Sequence, residues 1–305
     1  MKNIITILFY LIVSFSVSAQ KGDVVVNPAQ SKDSKVIQTN TIITPNGISI
    51  NDTLMYDYSE VTNTFWKEFM HWVKTLRGED SNEYKAVTPD LEGDLFSLSV
   101  LADTEPINYS ISKENYLHFP EYDYYPVTGI TLDQAKQYCQ WRSDRVLEML
   151  LIEYGIIKPK KIRKGKSFFT IEKFLTHKKY REERKLVSHY PMYFIPDSED
   201  WDIIVNLIRT KSLKVGRVNS ADRYQTILNE TGMPLIEQFS NKNKTVENVF
   251  HDVLGNVSEL IDGDNQCAGG NINDSTSIIL KMEINKCQTP NKFVGFRCLS
   301  KWVKI

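Results

Sequence analysis

Apolar and polar positions along this chain follow two different periods, and each change of period predicts an element. Phe65, Phe69, Trp72, Val73 and Leu76 recur every three or four residues, which predicts a helix capped by Asn63 and stopped at Gly78. A second helix follows Thr131-Leu132-Asp133-Gln134, where the Thr hydroxyl and the Gln side chain satisfy orphan amides reciprocally. Its stripe runs through Leu132, Ala135, Cys139, Arg142, Val146 and Leu150, which turns Cys139 inward. Tyr190–Ile195 reads as a strand ended by Pro196, after which Asp197 caps a helix carrying Trp201, Ile204, Val205 and Ile208. Thr41–Ile50 reads as two short strands around a Pro45-Asn46-Gly47 turn, and Val294–Leu299 as a terminal apolar strand. Between Glu79 and Tyr125 acidic, proline and aromatic residues mix without a clear period, which predicts long ordered loops rather than regular elements. No internal repeat is visible.

The N-terminus departs from this pattern. Lys2 precedes an apolar run from Ile4 to Val17 that ends in Val17-Ser18-Ala19, the form of a signal peptide over residues 1–19. The expectation is an exported chain starting at Gln20, placed in the periplasm, on the outer surface or outside the cell, with no transmembrane segment after cleavage. A polar, flexible lead-in is expected over 20–40 and a single domain over 41–305. No cysteine precedes Cys139, so the cleavage site offers no thiol for a lipid. Four cysteines in an oxidising compartment suit two disulfides, with three pairings open.

Charge changes the picture only locally. The full chain carries −1, which makes nucleic acid an unexpected partner. Residues 158–186 nevertheless hold twelve Lys or Arg against three Glu, a balance of +9, so the rest of the chain is strongly acidic. Such an insert is expected to sit in solvent. Phe168, Phe169, Ile171, Phe174 and Leu175 interleave with its charges and offer the alternative of a docking surface for an acidic partner or an amphipathic helix.

Five stretches, in order, resemble the formylglycine-generating enzyme (sulfatase-modifying factor) family. Glu60-Val61-Thr62-Asn63 is similar to its E-V-T-N element, and Pro126-Val127-Thr128-Gly129-Ile130 with Cys139-Gln140-Trp141 to its P-V-x-x-V and Y-C-x-W elements. Ile195-Pro196-Asp197-Ser198-Glu199-Asp200-Trp201 is similar to L-P-T-E-A-E-W, Asp252–Glu259 to D-M-x-G-N-V-W-E, and Gly295-Phe296-Arg297-Cys298 to G-F-R-C. The resemblance implies an α+β domain of irregular, C-type-lectin-like architecture, with few helices, short strands and long loops. It also implies a Cys139–Cys298 bond, which leaves Cys267 for Cys287.

In that family, oxidation of a substrate cysteine relies on two thiolates in the loop after an R-G-G-S turn, where they bind monovalent copper. Here Gly269-Gly270 is followed by Asn271–Ile279, which contains no cysteine, so no copper and no catalytic residue are expected. His71, His118, His177, His189 and His251 show no metal-binding spacing, and neither a nucleophile elbow nor a phosphate-cradling loop is present. Calcium is the one ligand the resemblance implies, held by the side chains of Asp252 and Glu259 with the carbonyls of Gly255 and Val257. The alternative is a tight loop in which Asp252 caps a turn and Asn256 bonds backbone. The function expected is a non-catalytic binding or assembly component of the cell envelope, with an envelope or secreted protein as partner, like related domains in gliding-motility and secretion machinery. A metal-dependent oxidoreductase with an altered site and a calcium-dependent glycan-binding module are the alternatives.

Overall fold

The computed structural model describes residues 44–90, 94–101, 106–216, 218–222 and 249–305. The expected signal peptide, 1–19, and the lead-in, 20–40, lie outside the described residues.

Of the two strands expected around Pro45-Asn46-Gly47, the first begins in residues 41–43, which lie outside the described residues, and the second leads a hairpin of its own. Strand β1 (Gly47–Ser49) pairs antiparallel with β2 (Leu54–Asp57), and the reversal falls at Asn51, whose Oδ1 accepts the amides of Thr53 and Leu54 at 2.9 Å. Pro45-Asn46-Gly47 makes a separate turn that leads into β1, with Gly47 N donating to Thr44 O at 2.9 Å. Helix α1 (Asn63–Arg77) buries Trp66, Phe69, Met70, Val73 and Leu76 and ends at Gly78, whose φ of 101° suits glycine alone. Its cap is Thr62, not Asn63. The Asn63 amide is buried and donates instead to the carbonyls of Tyr116 and Tyr122, both at 3.0 Å.

The segment 79–125 is more regular than its mixed composition predicts. It holds α2 (Asn82–Ala86), the antiparallel pair β3 (Asp94–Leu101) and β4 (Pro106–Ser112), and α3 (Lys113–His118). A two-residue period is present in Phe96-Ser97-Leu98-Ser99-Val100, and Ser81 caps α2 by accepting from Tyr84 N at 3.1 Å. Helix α4 (Leu132–Glu153) starts with the capping box expected at Thr131 and Gln134, and it buries Cys139, Arg142, Val146 and Leu150.

The basic insert is not merely solvated. Helices α5 (Ile171–Thr176) and α6 (Arg181–Arg184) lie within it, and Phe169, Ile171 and Phe174 pack on Leu147 and Leu151 of α4 and on Val187. Asp144 of α4 accepts the Ile171 amide at 2.7 Å, which fastens the start of α5. The aromatic residues offered above as a docking surface are therefore spent on the molecule's own core.

Strand β5 (His189–Phe194) and helix α7 (Ser198–Arg209) follow, the latter capped by Asp197 as expected. Two short parallel strands, β6 (Lys214–Val215) and β7 (Val249–Phe250), precede β8 (Ser258–Ile261), β9 (Gln266–Ala268), α8 (Thr276–Ile279), β10 (Asn285–Lys286), β11 (Val294–Gly295) and β12 (Leu299–Lys304). One sheet runs β1-β2-β12-β5 and another β10-β9-β8-β11. The expected terminal strand is thus two strands in different sheets, because the chain crosses between them at Phe296-Arg297-Cys298 and uses Arg297 to bond both sides. The class is α+β, with short strands in several sheets. No described helix is long and apolar enough to cross a membrane.

Candidate functional site

The stretches that carry the motifs converge where the two sheets meet. Val61 N donates to Phe296 O and Val127 N to Val61 O, each at 2.9 Å, so the first, second and fifth stretches lie side by side. The third meets the chain just after β8, where Asp262 N donates to Pro196 O at 2.7 Å. The fourth supplies Gly255, whose φ is 91° and whose missing Cβ would stand 2.0 Å from the Asn219 carbonyl oxygen. Only glycine fits there.

Buried charge holds this junction together. Arg297 donates through Nε to Glu259 Oε1 at 2.9 Å, through Nη1 to Asp57 O at 3.1 Å and through Nη2 to His251 O at 2.6 Å. Tyr56 donates its hydroxyl to the other oxygen of Glu259 at 2.6 Å. Burial pulls the Arg297 guanidinium down, but Glu259, Tyr56 and Glu60 together outweigh it and the net direction is up. Nearby, Arg142 grips both carboxylate oxygens of Asp57, at 2.5 and 3.1 Å, and lies 4.1 Å over the Tyr193 ring. Burial still raises the Asp57 carboxyl above its ordinary range, against the pull of Arg142.

Glu60 is the third buried acid. Its Oε1 accepts from Asn256 Nδ2 at 2.9 Å, and Asn256 Oδ1 accepts in turn from Asn219 at 3.1 Å. Burial and then the Asp252 carboxylate push Glu60 well above the usual carboxylate range, which favours its neutral, proton-carrying form. Asn256 adopts φ 61°, a left-handed conformation that asparagine tolerates better than most side chains.

The residues implied as calcium ligands are placed as follows. Asp252 sits at the head of the loop at φ 55°, close enough to Glu60 to influence it. Gly255 bonds its amide to Gly269 O at 2.8 Å, and Val257 is fully buried. Glu259 turns the other way, with each carboxylate oxygen already accepting, one of them from a guanidinium. A calcium ion at Glu259 would share its Oε1 with the Arg297 guanidinium or its Oε2 with the Tyr56 hydroxyl. Among the described residues no three His, Cys, Asp or Glu side chains form a group that could hold a metal.

The sulfurs divide into two pairs. Cys267 and Cys287 are bonded, while Cys139 and Cys298 lie with Sγ atoms 3.5 Å apart as buried thiols. Burial, then Cys298 itself, pushes the Cys139 thiol well up, so it is no poised thiolate. The loop Asn271–Ile279 is tied down by its own polar groups. Asn271 N donates to Asp274 at 2.9 Å, Ile272 N to Asn256 O at 3.1 Å, and Thr276 N to Asp222 at 2.8 Å. An open depression beside the Cys267–Cys287 bond is lined by Asn265, Lys286, Gln288, Thr289 and Pro290, with no acid–base pair.

Sequence reasoning placed Arg142 on the inward stripe of α4 without finding its partner. The pairings Arg142–Asp57, Arg297–Glu259 and Asn256–Glu60 were missed. The signal was a charged or amide residue at a position where the pattern demands an apolar one.

Comparison with protein-family models finds no match, and comparison with curated proteins finds none either. Among solved structures, the crystal structure of CarF is similar at a TM-score of 0.34 and 12% identity, over 81% of this chain and 86% of that one. A likeness of that size carries no argument.

Proposed function

We propose that this chain is an exported, non-catalytic relative of the formylglycine-generating enzymes, with their C-type-lectin-like fold, acting as a binding or assembly component of the cell envelope of the kind found in gliding or secretion machinery. The observation that carries the reading is the state of the sulfurs at the junction. Thiolate chemistry on soft copper needs two accessible, ionisable thiols in one loop. Cys267 is bonded to Cys287, Cys139 is buried with its thiol pushed up, and the Asn271–Ile279 loop carries none. The same reading accounts for the meeting of the first, fourth and fifth stretches in one buried network, whose polar groups are spent on cross-linking the fold.

The test joins three measurements on purified, full-length protein and on envelope extracts. Monovalent copper is titrated against the protein, a cysteine-containing peptide is assayed for aldehyde formation, and the native size of the protein is followed in the extracts. Elution in a large assembly, with no stoichiometric copper and no aldehyde, is expected. Copper binding with aldehyde formation overturns the non-catalytic reading, and elution as a free monomer overturns the assembly role.

A further inference from the structure

The basic insert carries a patch of cations that the rest of the molecule does not neutralise. Three of its twelve cations make hydrogen bonds or ion pairs within the fold. Lys173 reaches Phe168 O at 3.0 Å, Arg184 donates to Phe174 O at 2.6 Å, and Lys185 pairs with Glu182 at 2.8 Å. Lys158, Lys160, Lys161, Arg163, Lys164, Lys166, Lys178, Lys179 and Arg181 are exposed and form no ion pair among the described residues.

These cations are gathered rather than strung out. Ile156 and Ile157, just ahead of 158–161, and Tyr180, within 178–181, pack on the same apolar cluster, and the Lys179 ammonium lies 4.7 Å over the Tyr180 ring. The nearness of Lys179 also holds Lys160 below its ordinary pKa. That shared packing brings 158–161 and 178–181 together, since chain neighbours lie within about 7 Å over two residues. Six cations thus share one patch. The acids near it have partners of their own, Glu148 with Arg145 and Glu182 with Lys185. Glu183 is the other acid in this part of the insert. Like charges crowded on an exposed surface call for an external anion.

The build of the patch selects among anions. Protein interfaces draw most of their energy from aromatic and apolar anchors. Here Phe169, Ile171 and Phe174 are buried against α4 and Tyr180 packs on them, so within 158–161 and 178–181 the outward side chains are charged, the exposed Leu186 lying beyond these runs. Five of its six cations are lysines, compact point charges lacking the fork by which arginine grips a single carboxylate or phosphate in fixed geometry. Charge without anchors, borne by lysine, suits a diffuse layer of headgroup phosphates.

We propose that Lys158, Lys160, Lys161, Lys178, Lys179 and Arg181 form a docking face for an anionic phospholipid surface. The insert is held rigidly by α4 and presents the patch outward, so the protein adsorbs by electrostatics without inserting. This binding is independent of the family reading above.

The test is co-sedimentation of the full chain with vesicles of phosphatidylcholine alone and with phosphatidylglycerol added, at low and high salt. A variant carrying Lys158→Glu, Lys160→Glu, Lys161→Glu and Lys179→Glu is compared, its fold checked by thermal melting because all four sites are exposed. Binding only to anionic vesicles is expected, reversed by salt and weakened at least ~100-fold in the variant, given roughly fivefold per charge. Equal binding to neutral vesicles, undiminished binding by the folded variant, or tighter binding to polyglutamate or to single-stranded DNA than to the vesicles overturns the proposal. Should that variant fail to fold, the milder Lys160→Gln, Lys179→Gln pair must still weaken binding by roughly tenfold or more.

Discussion

Glu259 and Arg297 are 2% and 0% exposed, so each is tolerable in the interior only because the other is there. Removing one partner strands a buried charge, whereas replacing both with apolar side chains of similar volume removes the penalty along with the attraction. Arg297→Met should therefore cost about 3–5 kcal/mol in urea unfolding, and adding Glu259→Leu should recover much of that loss. A double variant no more stable than the single one would show that Arg297 acts through its carbonyl bonds to Asp57 and His251 instead. Glu68 makes a second case at this scale. Its Oε1 is buried without a partner, and burial raises its carboxyl from 4.5 to about 7. A folded pKa above the unfolded one means that the native state holds more protons between about 4.5 and 7. Stability from this group is thus fully present at low pH and lost as pH rises through about 7. Glu68→Gln should gain melting temperature over the parent at pH 8 and gain less or none at pH 4.5. Glu60 and Asp57 are common to both proteins and cancel. A difference independent of pH would reject the assignment.

Whole elements were legible where a long stripe and a cap agreed. Helices α1, α4 and α7 each carry several turns of apolar period, and the caps at Thr131 and Asp197 fall where the sequence places them. Short elements escaped because period needs length. Helix α2 has five residues, and the alternation in β3 is flanked by acidic residues and prolines that read as loop. The insert misled differently, since its charge density hid an apolar face that only α4 reveals. Phe174 is the centre of that face and fully buried. Phe174→Ala should remove about 3–5 kcal/mol of local stability. Limited trypsin digestion should then cut rapidly within 158–186, while unfolding of the main core, followed by tryptophan fluorescence, changes little. Equal loss in both would mean that the insert and core unfold as one unit.

At the scale of the molecule the candidate site was legible as a set of motifs but not as a network, because side chains 196 or 240 residues apart bond through a crossing that no local pattern encodes. The cysteines depend on the same crossing. Cys139 on α4 and Cys298 at the start of β12 are separated by 159 residues, and their sulfurs are side by side at 3.5 Å. Cys267–Cys287 closes 20 residues. By chain entropy the short bridge stabilises by about 3 kcal/mol, and a bond across the long pair would add about 5 kcal/mol. Thiol counting under denaturing conditions should find no free sulfur after folding under oxidising conditions and two after folding with mild reductant. Cys139→Ser with Cys298→Ser should then lower the melting temperature of the oxidised protein more than Cys267→Ser with Cys287→Ser. The order is decisive, because a pair of thiols that merely fills space loses only packing when changed to serine. If the shorter bridge proves the costlier to remove, Cys139 and Cys298 are packing residues, and α4 is held to the crossing without a covalent link.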